Sequence, residues 1–392
     1  MSSLADPGWL DSEQLTARAK AWEATMEGHR SATTDAVAER PFRRAHQEEA
    51  TRLGPGPPLL REEREAIDDL HLAPGATRAI GAGGRKVAEE PDPVRTCFER
   101  DRDRILHSSA YRRLAGKTQV FVFPTDHQRT RLTHALEVAQ IARSIATACR
   151  ANASLAEAIA LGHDCGHGPG GHASEDALAP YVEGGFDHAV WGADVTLASL
   201  NLCHETLDGI RNHSWSRPVP ATPEGEIVSW ADRIAYVCHD FEDAAHVGIV
   251  DPQDLPLIVR HRCGLSRSSQ LNALVLGVVE ATTANGSVGM AEAPAEALVA
   301  FRHWNYEHIY LRPAAQAQAR AVGSLLRALV EFLAARPERL RLSVPPDSVD
   351  ARHAAVAYVS GMTDRFACEL AVAELGWDRD QLPQGVGLPF GR

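Results

Sequence analysis

RTRLTHALEVAQIAR, Arg129 to Arg143, is the stretch on which the reading of the fold turns. Leu132, Leu136, Ala139 and Ile145, with their apolar neighbours, recur at helical spacing, which predicts a helix with one buried face. His134 stands on that helix three residues after Arg131, and side chains at that spacing point the same way. An imidazole on such a helix can face a site lined by other helices.

Downstream, Leu155, Ile159 and Ala160 carry the same period towards His163-Asp164, which Gly166, Gly168, Gly170 and Gly171 follow. Further on, Asp232 interrupts the otherwise apolar run IVSWADRIAYVCHD. A buried carboxylate is costly unless it is paired or bound to a metal. Two imidazoles and two carboxylates from three helices suit one divalent ion (Mn, Mg, Fe, Co, Ni or Zn) and leave positions for water and phosphate.

Beyond this core, helical patterns continue at 254–260, 269–282, 294–311, 314–336 and 350–375, and QVFVF (Gln119 to Phe123) is the best strand candidate. The fold expected is mainly α, a helical bundle with additional C-terminal helices and a small β hairpin at most. Residues 1–93, broken by GPGPP, APGA and GAGG, read as a partly irregular N-terminal extension. Residues 94–250 read as the core, and 251–392 as a C-terminal helical region packed on it. REERE at Arg61 to Glu65 reads as a solvated helix face, and Phe301 to Tyr310 as core or subunit interface.

The net charge of −12 argues against broad nucleic-acid binding, which needs an excess of Lys and Arg, and demands that any pocket for phosphates concentrate its cations locally. The seven cysteines are scattered without a CxxC pair, so neither a disulfide framework nor a cysteine zinc site is expected. No run approaches the roughly 18 apolar residues of a membrane helix. The N-terminus lacks a basic-then-apolar signal order, so a cytoplasmic protein without a membrane partner is expected.

The order His134, His163-Asp164, Asp232 is the pattern of the HD superfamily, and the surrounding motifs resemble its deoxynucleoside triphosphate triphosphohydrolases, the dGTPase-like branch. YRRLAGKTQV (Tyr111 to Val120) matches their arginine-rich lead-in, and RTRLTHALEVAQI (Arg129 to Ile141) the segment of the first ligand. HDCGHGPGGHASE (His163 to Glu175) matches their HD-x-GH-x-PFGH-x-GE, WADRIAYVCHDFED (Trp230 to Asp243) their WADxIAYxxHDxED, and YVSGMTDRFA (Tyr358 to Ala367) is a last echo. There are departures. Gly170 replaces the aromatic of PFGH, Ser174 replaces a Gly, and FDHAVWGAD (Phe186 to Asp194) keeps Phe186 and His188 of the usual F-x-HNxQS but loses its Asn and Gln.

The resemblance implies metal-dependent hydrolysis of a deoxynucleoside triphosphate to deoxynucleoside and inorganic triphosphate. It implies His134, His163, Asp164 and Asp232 as metal ligands and His172 with Glu175, one helical turn apart, as the acid–base pair. Arg131 and Arg233 are natural phosphate clamps, because a guanidinium offers fixed donors to phosphate oxygens. Gln119, His167, His188, Tyr236 and Asp240 match positions that contact phosphate or sugar, and Tyr236, four residues after Asp232, can crowd a 2′-hydroxyl. Arg211, Asn212 and His213 are read as approaching the base. Two other readings stand beside this one: an HD phosphohydrolase acting on a monophosphate, a cyclic nucleotide or a guanosine polyphosphate, and a nucleotide-binding regulator without catalysis. The resemblance further implies a homo-oligomer and names single-stranded nucleic acid as a partner of some relatives; the N-terminal extension, too poor in large apolar residues for a core of its own, is expected to wrap the core or a neighbouring subunit.

Overall fold

The computed structural model describes residues 12–26, 28–30, 42–46, 53–54, 56–340 and 350–385. The chain divides between Pro58 and Leu59 into two compact units. The first contains α1 (Ser12–Thr25) and an antiparallel pair, β1 (His29–Arg30) and β2 (Arg43–Arg44), with His29 opposite Arg44. The second holds α2 (Arg61–His71), α3 (Cys97–His107), α4 (Ser109–Arg113), α5 (Arg131–Ala148), α6 (Ala153–Gly162), α7 (Ala173–Leu178), α8 (His188–Trp191) and α9 (His204–Asn212). It continues through α10 (Pro223–His246), α11 (Leu257–Cys263), α12 (Arg267–Asn285), α13 (Glu292–Asn305), α14 (Pro313–Ala334), α15 (Ala351–Ser360) and α16 (Asp364–Leu375). The protein is mainly α, as its patterning requires.

The strand expected at Gln119 to Phe123 does not form. That stretch is a series of bends, touched only by an isolated bridge from Thr118 to Thr130, and Phe123 adopts a left-handed φ of 50°. It serves a different end: Gln119, Val120, Phe121 and Val122 all line a cavity, Phe121 while buried. The paired strands lie instead in the first unit.

Two apolar cores organise the second unit. α6 (ASLAEAIALG) is almost wholly buried and packs against α3, α5 and α10, with Ile145, Leu155, Ile159, Val228 and Ile234 sealed from solvent. Asn152 caps α6 by accepting from Leu155 N at 3.1 Å, and Thr222 caps α10, with Pro223 in its first turn. The other core joins α7 to α14, α15 and α16 through Leu178, Leu326, Leu329, Val356 and Ala367. The cavity described below is walled by residues from both sides.

Residues 59–93 belong to this second unit, so the structural boundary falls well before residue 93. Ala76 and Ala79 join the larger core and Leu72 packs on it, and buried polar contacts add to the attachment. Arg85 forms a fully buried pair with Asp101 at 2.5 Å, and Glu224 accepts from Thr77 Oγ1 at 2.6 Å and from Asn152 N at 2.8 Å. REERE is likewise more than a solvated face: Arg61 is buried against Glu65 at 2.6 Å, and Arg64 reaches Glu99. All seven cysteines are free, and no helix among the described residues is long and apolar enough to cross a membrane.

Candidate metal centre and active site

Three elements converge on one buried cluster. α5 turns Arg131 and His134 inward, α6 ends at Gly162 so that His163 and Asp164 leave its C-terminus together, and α10 carries Asp232. His134 Nε2 lies 3.0 Å from Asp232 Oδ1 and 3.8 Å from Asp164 Oδ2, and His163 Nε2 lies 3.5 Å from Asp164 Oδ1 and 3.6 Å from Asp232 Oδ1. Ligand atoms about 2.1 Å from a common ion stand roughly 3.0–3.5 Å apart, so the cluster has the span of a metal site. His163 Nδ1 donates to Ala160 O at 2.6 Å, which leaves Nε2 free to face the cluster, buried and without a hydrogen-bond partner. Burial opposes charge on His163, yet the carboxylates of Asp164 and Asp232 raise its pKa to about 9. They favour a cation at Nε2, and a divalent metal meets that preference by displacing the proton. The residues fit a bound metal.

A second ring of groups surrounds this cluster. Arg131 Nη1 donates to Asp164 Oδ2 at 2.6 Å, and His167 Nε2 stands 3.2 Å from Asp164 Oδ1. His167 stacks on His188 with ring centroids 3.7 Å apart. Burial, reinforced by Arg131 and His188, pushes His167 well below its ordinary value, so it is a neutral imidazole. Burial also pushes His213 down to about 3. Glu175 accepts from His188 N at 3.1 Å and binds His188 Nδ1 through the same oxygen, while His172 Nδ1 is 3.6 Å from its other oxygen. Burial alone would raise the Glu175 carboxyl, but its bonds to His172 and His188 hold it well below the usual carboxylate range. His188 Nε2 in turn contacts His213 Nε2 at 3.2 Å, and His213 Nδ1 donates to Ile210 O at 2.8 Å.

A cavity of about 730 Å³ opens over this ring, within the range of small-ligand sites. Of the residues singled out in the sequence, His134, Asp164 and Asp232 line it, as do Gln119, Arg131, His172, His188, Arg233, Tyr236 and Asp240. His163, His167 and Glu175 stand behind that lining and act on it through their neighbours. Arg211 and Asn212 turn away, Arg211 to Asp194 and Asn212 to Asp208 at 2.9 Å, so of that trio only His213 reaches the cavity. Arg233 stacks 3.7 Å over the ring of Trp215.

The segment Phe301 to Tyr310, expected to be core or interface, divides its duties. Phe301 and Trp304 are buried in the larger core, while Tyr306 and Tyr310 line the cavity on a π-helical turn. Tyr310 donates to Asp240 Oδ2 at 2.5 Å, and burial raises Asp240 to about 8. Tyr236 OH accepts from Arg302 Nε at 2.8 Å. Arg302, Arg312, Tyr310 and Trp215 were not legible as site residues; the Tyr306–Tyr310 spacing was the one available signal.

A helical bundle that gathers His, His-Asp and Asp from three elements defines an HD-domain protein. The HD domain family matches residues 131–237, and the phosphohydrolase-associated domain family matches residues 288–372. A deoxyguanosinetriphosphate triphosphohydrolase-like protein of Caldanaerobacter subterraneus is 39% identical over 317 residues, covering 79% of this chain and 93% of the relative. One of the same description from Clostridium perfringens is 38% identical over 327 residues, covering 78% and 95%. A solved phosphohydrolase structure from Bacteroides thetaiotaomicron aligns at 18% identity with a TM-score of 0.43, over 69% of this chain and 68% of that one, which is too slight to bear on function. The chain belongs to the deoxyguanosinetriphosphate triphosphohydrolase-like family of HD-domain hydrolases.

Proposed function

We propose that this protein hydrolyses a deoxynucleoside triphosphate to deoxynucleoside and inorganic triphosphate, with a divalent metal held by His134, His163, Asp164 and Asp232. The observation that carries the reading is the concentration of unsatisfied cationic groups beside the cluster. Arg131 keeps Nε and Nη2 buried without partners, and Arg233 keeps Nε so. With Arg302 and Arg312 they put four guanidiniums around one cavity of a chain whose net charge is −12. Buried donors without acceptors are costly, and phosphate oxygens supply what they lack.

The bound metal supplies polarisation of a phosphate oxygen and of water. Water adds to the α-phosphorus, the bond to the 5′ oxygen breaks, and that oxygen must leave protonated. His172, at the cavity edge and paired with Glu175, is placed to donate that proton or to take one from the attacking water. His188 anchors Glu175, so the carboxylate serves two imidazoles at once. The wall of Tyr236, Tyr310 and Asp240 receives the sugar, where a ring against the ribose face crowds a 2′-hydroxyl. The altered FDHAVWGAD segment does not empty the site. Its Trp191 turns to the second core and donates Nε1 to Ser360 Oγ at 3.1 Å, while His188 still faces the cavity.

A screen of all deoxynucleoside and ribonucleoside triphosphates with Mn or Mg, resolving triphosphate from pyrophosphate and phosphate, tests this. Triphosphate release from deoxynucleotides, with ribonucleotides poorer, is expected. Release of pyrophosphate or phosphate, or no turnover of any triphosphate, overturns it.

A further inference from the structure

The motif YVSGMTDRFA, Tyr358 to Ala367, has no part in the chemistry above, yet it grips both loops that enter the cavity. Ser360 O accepts from Lys117 Nζ at 2.9 Å, and the same ammonium binds His167 O. Thr363 occupies the space left by Gly116, where a Cβ would stand 2.7 Å from Thr363 Cγ2. Asp364, 6% exposed, takes three bonds: Oδ2 accepts from Thr118 N at 2.9 Å and Thr118 Oγ1 at 2.5 Å, and Oδ1 accepts from Gly170 N at 2.8 Å.

The gripped loop is tightly closed. Gly170 has a φ of +73°, and a Cβ there would stand 2.4 Å from Val322 Cγ1, so the family's aromatic at this position would not fit against α14. Gly168 N donates to Ser174 Oγ at 3.0 Å, and that hydroxyl donates to Gly171 O at 2.7 Å. His167 and His172 stand at the two ends of this closed turn, and Gln119 follows Thr118 directly. A displacement of Gly170 therefore travels to His172.

We propose that Asp364 is a positioning residue for the hydrolysis: through Gly170 and Thr118 it sets where His172 and Gln119 stand in the cavity, which makes the C-terminal helices part of the working site. The proposal rests on the triphosphohydrolase reading for its kinetic test and on the structure alone for its mechanical one. Three donors converge on the two oxygens, so a carboxylate is required. An asparagine offers one oxygen and turns an N–H towards a donor.

Asp364→Asn and Thr118→Val in the full chain test it, by hydrogen exchange, metal content and steady-state kinetics. In Asp364→Asn, exchange is expected to quicken in peptides spanning 165–175 and to stay unchanged in α6 and α10, with metal retained. Its kcat should fall about 10- to 100-fold, the cost of misplacing a reacting group by about 1 Å. Its KM should move less than about threefold, the pattern of an interaction made only in the transition state. Thr118→Val, which loses one of the three bonds, should change in the same direction by less. Unchanged exchange at 165–175, or parental kcat and KM per metal-loaded subunit, overturns the proposal. Should Asp364→Asn not fold, Thr118→Val decides by the same criteria. Should the parent release no triphosphate, the functional reading fails while the exchange comparison still decides the clamp.

Discussion

Asp164 sits inside the metal cluster and His172 at the edge of the cavity over it, and the two should answer to substitution in different ways. Asp164 meets His134, His163, His167 and Arg131 at once. Asp164→Ala removes an oxygen ligand and leaves Arg131 buried without its carboxylate, so metal content by elemental analysis and turnover should collapse together. Retention of stoichiometric metal would show that the site is elsewhere. His172 is 74% exposed and touches no member of the metal cluster. His172→Ala should keep metal and bind nucleotide with near-parental affinity while kcat falls about 10²–10⁴-fold; weakened binding at parental kcat would make it a substrate anchor instead. The metal cluster was legible because polar side chains interrupt apolar helical periods at His134 and Asp232, and burial of such groups demands a partner. The tie between Glu175 and His188 was not, because thirteen residues and a change of direction separate them. Tyr306 and Tyr310 illustrate a further limit: aromatics one turn apart look alike in sequence whether they face a core or a cavity.

At the scale of elements, Lys117 joins the lead-in loop to the HD loop and to α15 using two carbonyls and no carboxylate. Burial drives its ammonium down from an ordinary 10.5 to about 7. The sign follows from proton counting. Below about pH 7 the lysine is protonated in both folded and unfolded chains, and the full cost of burying the charge is present. Between about 7 and 10.5 the unfolded chain binds more protons than the folded one, so stability from this group rises with pH. Against Lys117→Met, the parent should therefore gain several kcal/mol of relative stability over that window, at about 1.4 kcal/mol per pKa unit as an upper limit. Urea midpoints of both proteins from pH 6.5 to 10 read this directly, and parallel curves would refute the buried-ammonium account. The elements themselves were largely visible as apolar periods. The helix at 61–71 was legible too, but the docking of residues 59–93 on the core was not, because Arg85, Thr77 and Arg64 help fasten them by ion pairs and hydrogen bonds that leave no periodic trace. QVFVF alternates like a strand for lack of a sequence signal that distinguishes a half-buried strand from a cavity wall.

Across the whole molecule, the question left by the fold is what covers its surface. The sequence argument for a homo-oligomer leaned on the apolar richness of Phe301 to Tyr310, and that richness is now accounted for inside the subunit: Phe301 and Ile309 are sealed in cores and Tyr310 holds Asp240. Other apolar side chains remain in water. Leu257 is 64% exposed on α11 and Val299 68% exposed on α13, two helices that pack on each other. We propose that the protein is a homo-oligomer of closed symmetry, as most soluble assemblies are, and that this region contributes to its contacts. The cut that tests the role of the N-terminal segment belongs before Leu59, since a cut near residue 91 would also remove Arg85 from Asp101 and Thr77 from Glu224 and so damage the core. Light scattering at micromolar concentration should give a multiple of the 42.4 kDa chain mass for the full protein. Leu257→Glu with Val299→Glu should lower that mass while leaving the helical signal intact. A monomeric mass for the unsubstituted chain refutes the oligomer. An unchanged mass in the double variant moves the contact away from α11 and α13, and an unchanged mass in a chain beginning at Leu59 shows that assembly does not depend on the residues before it.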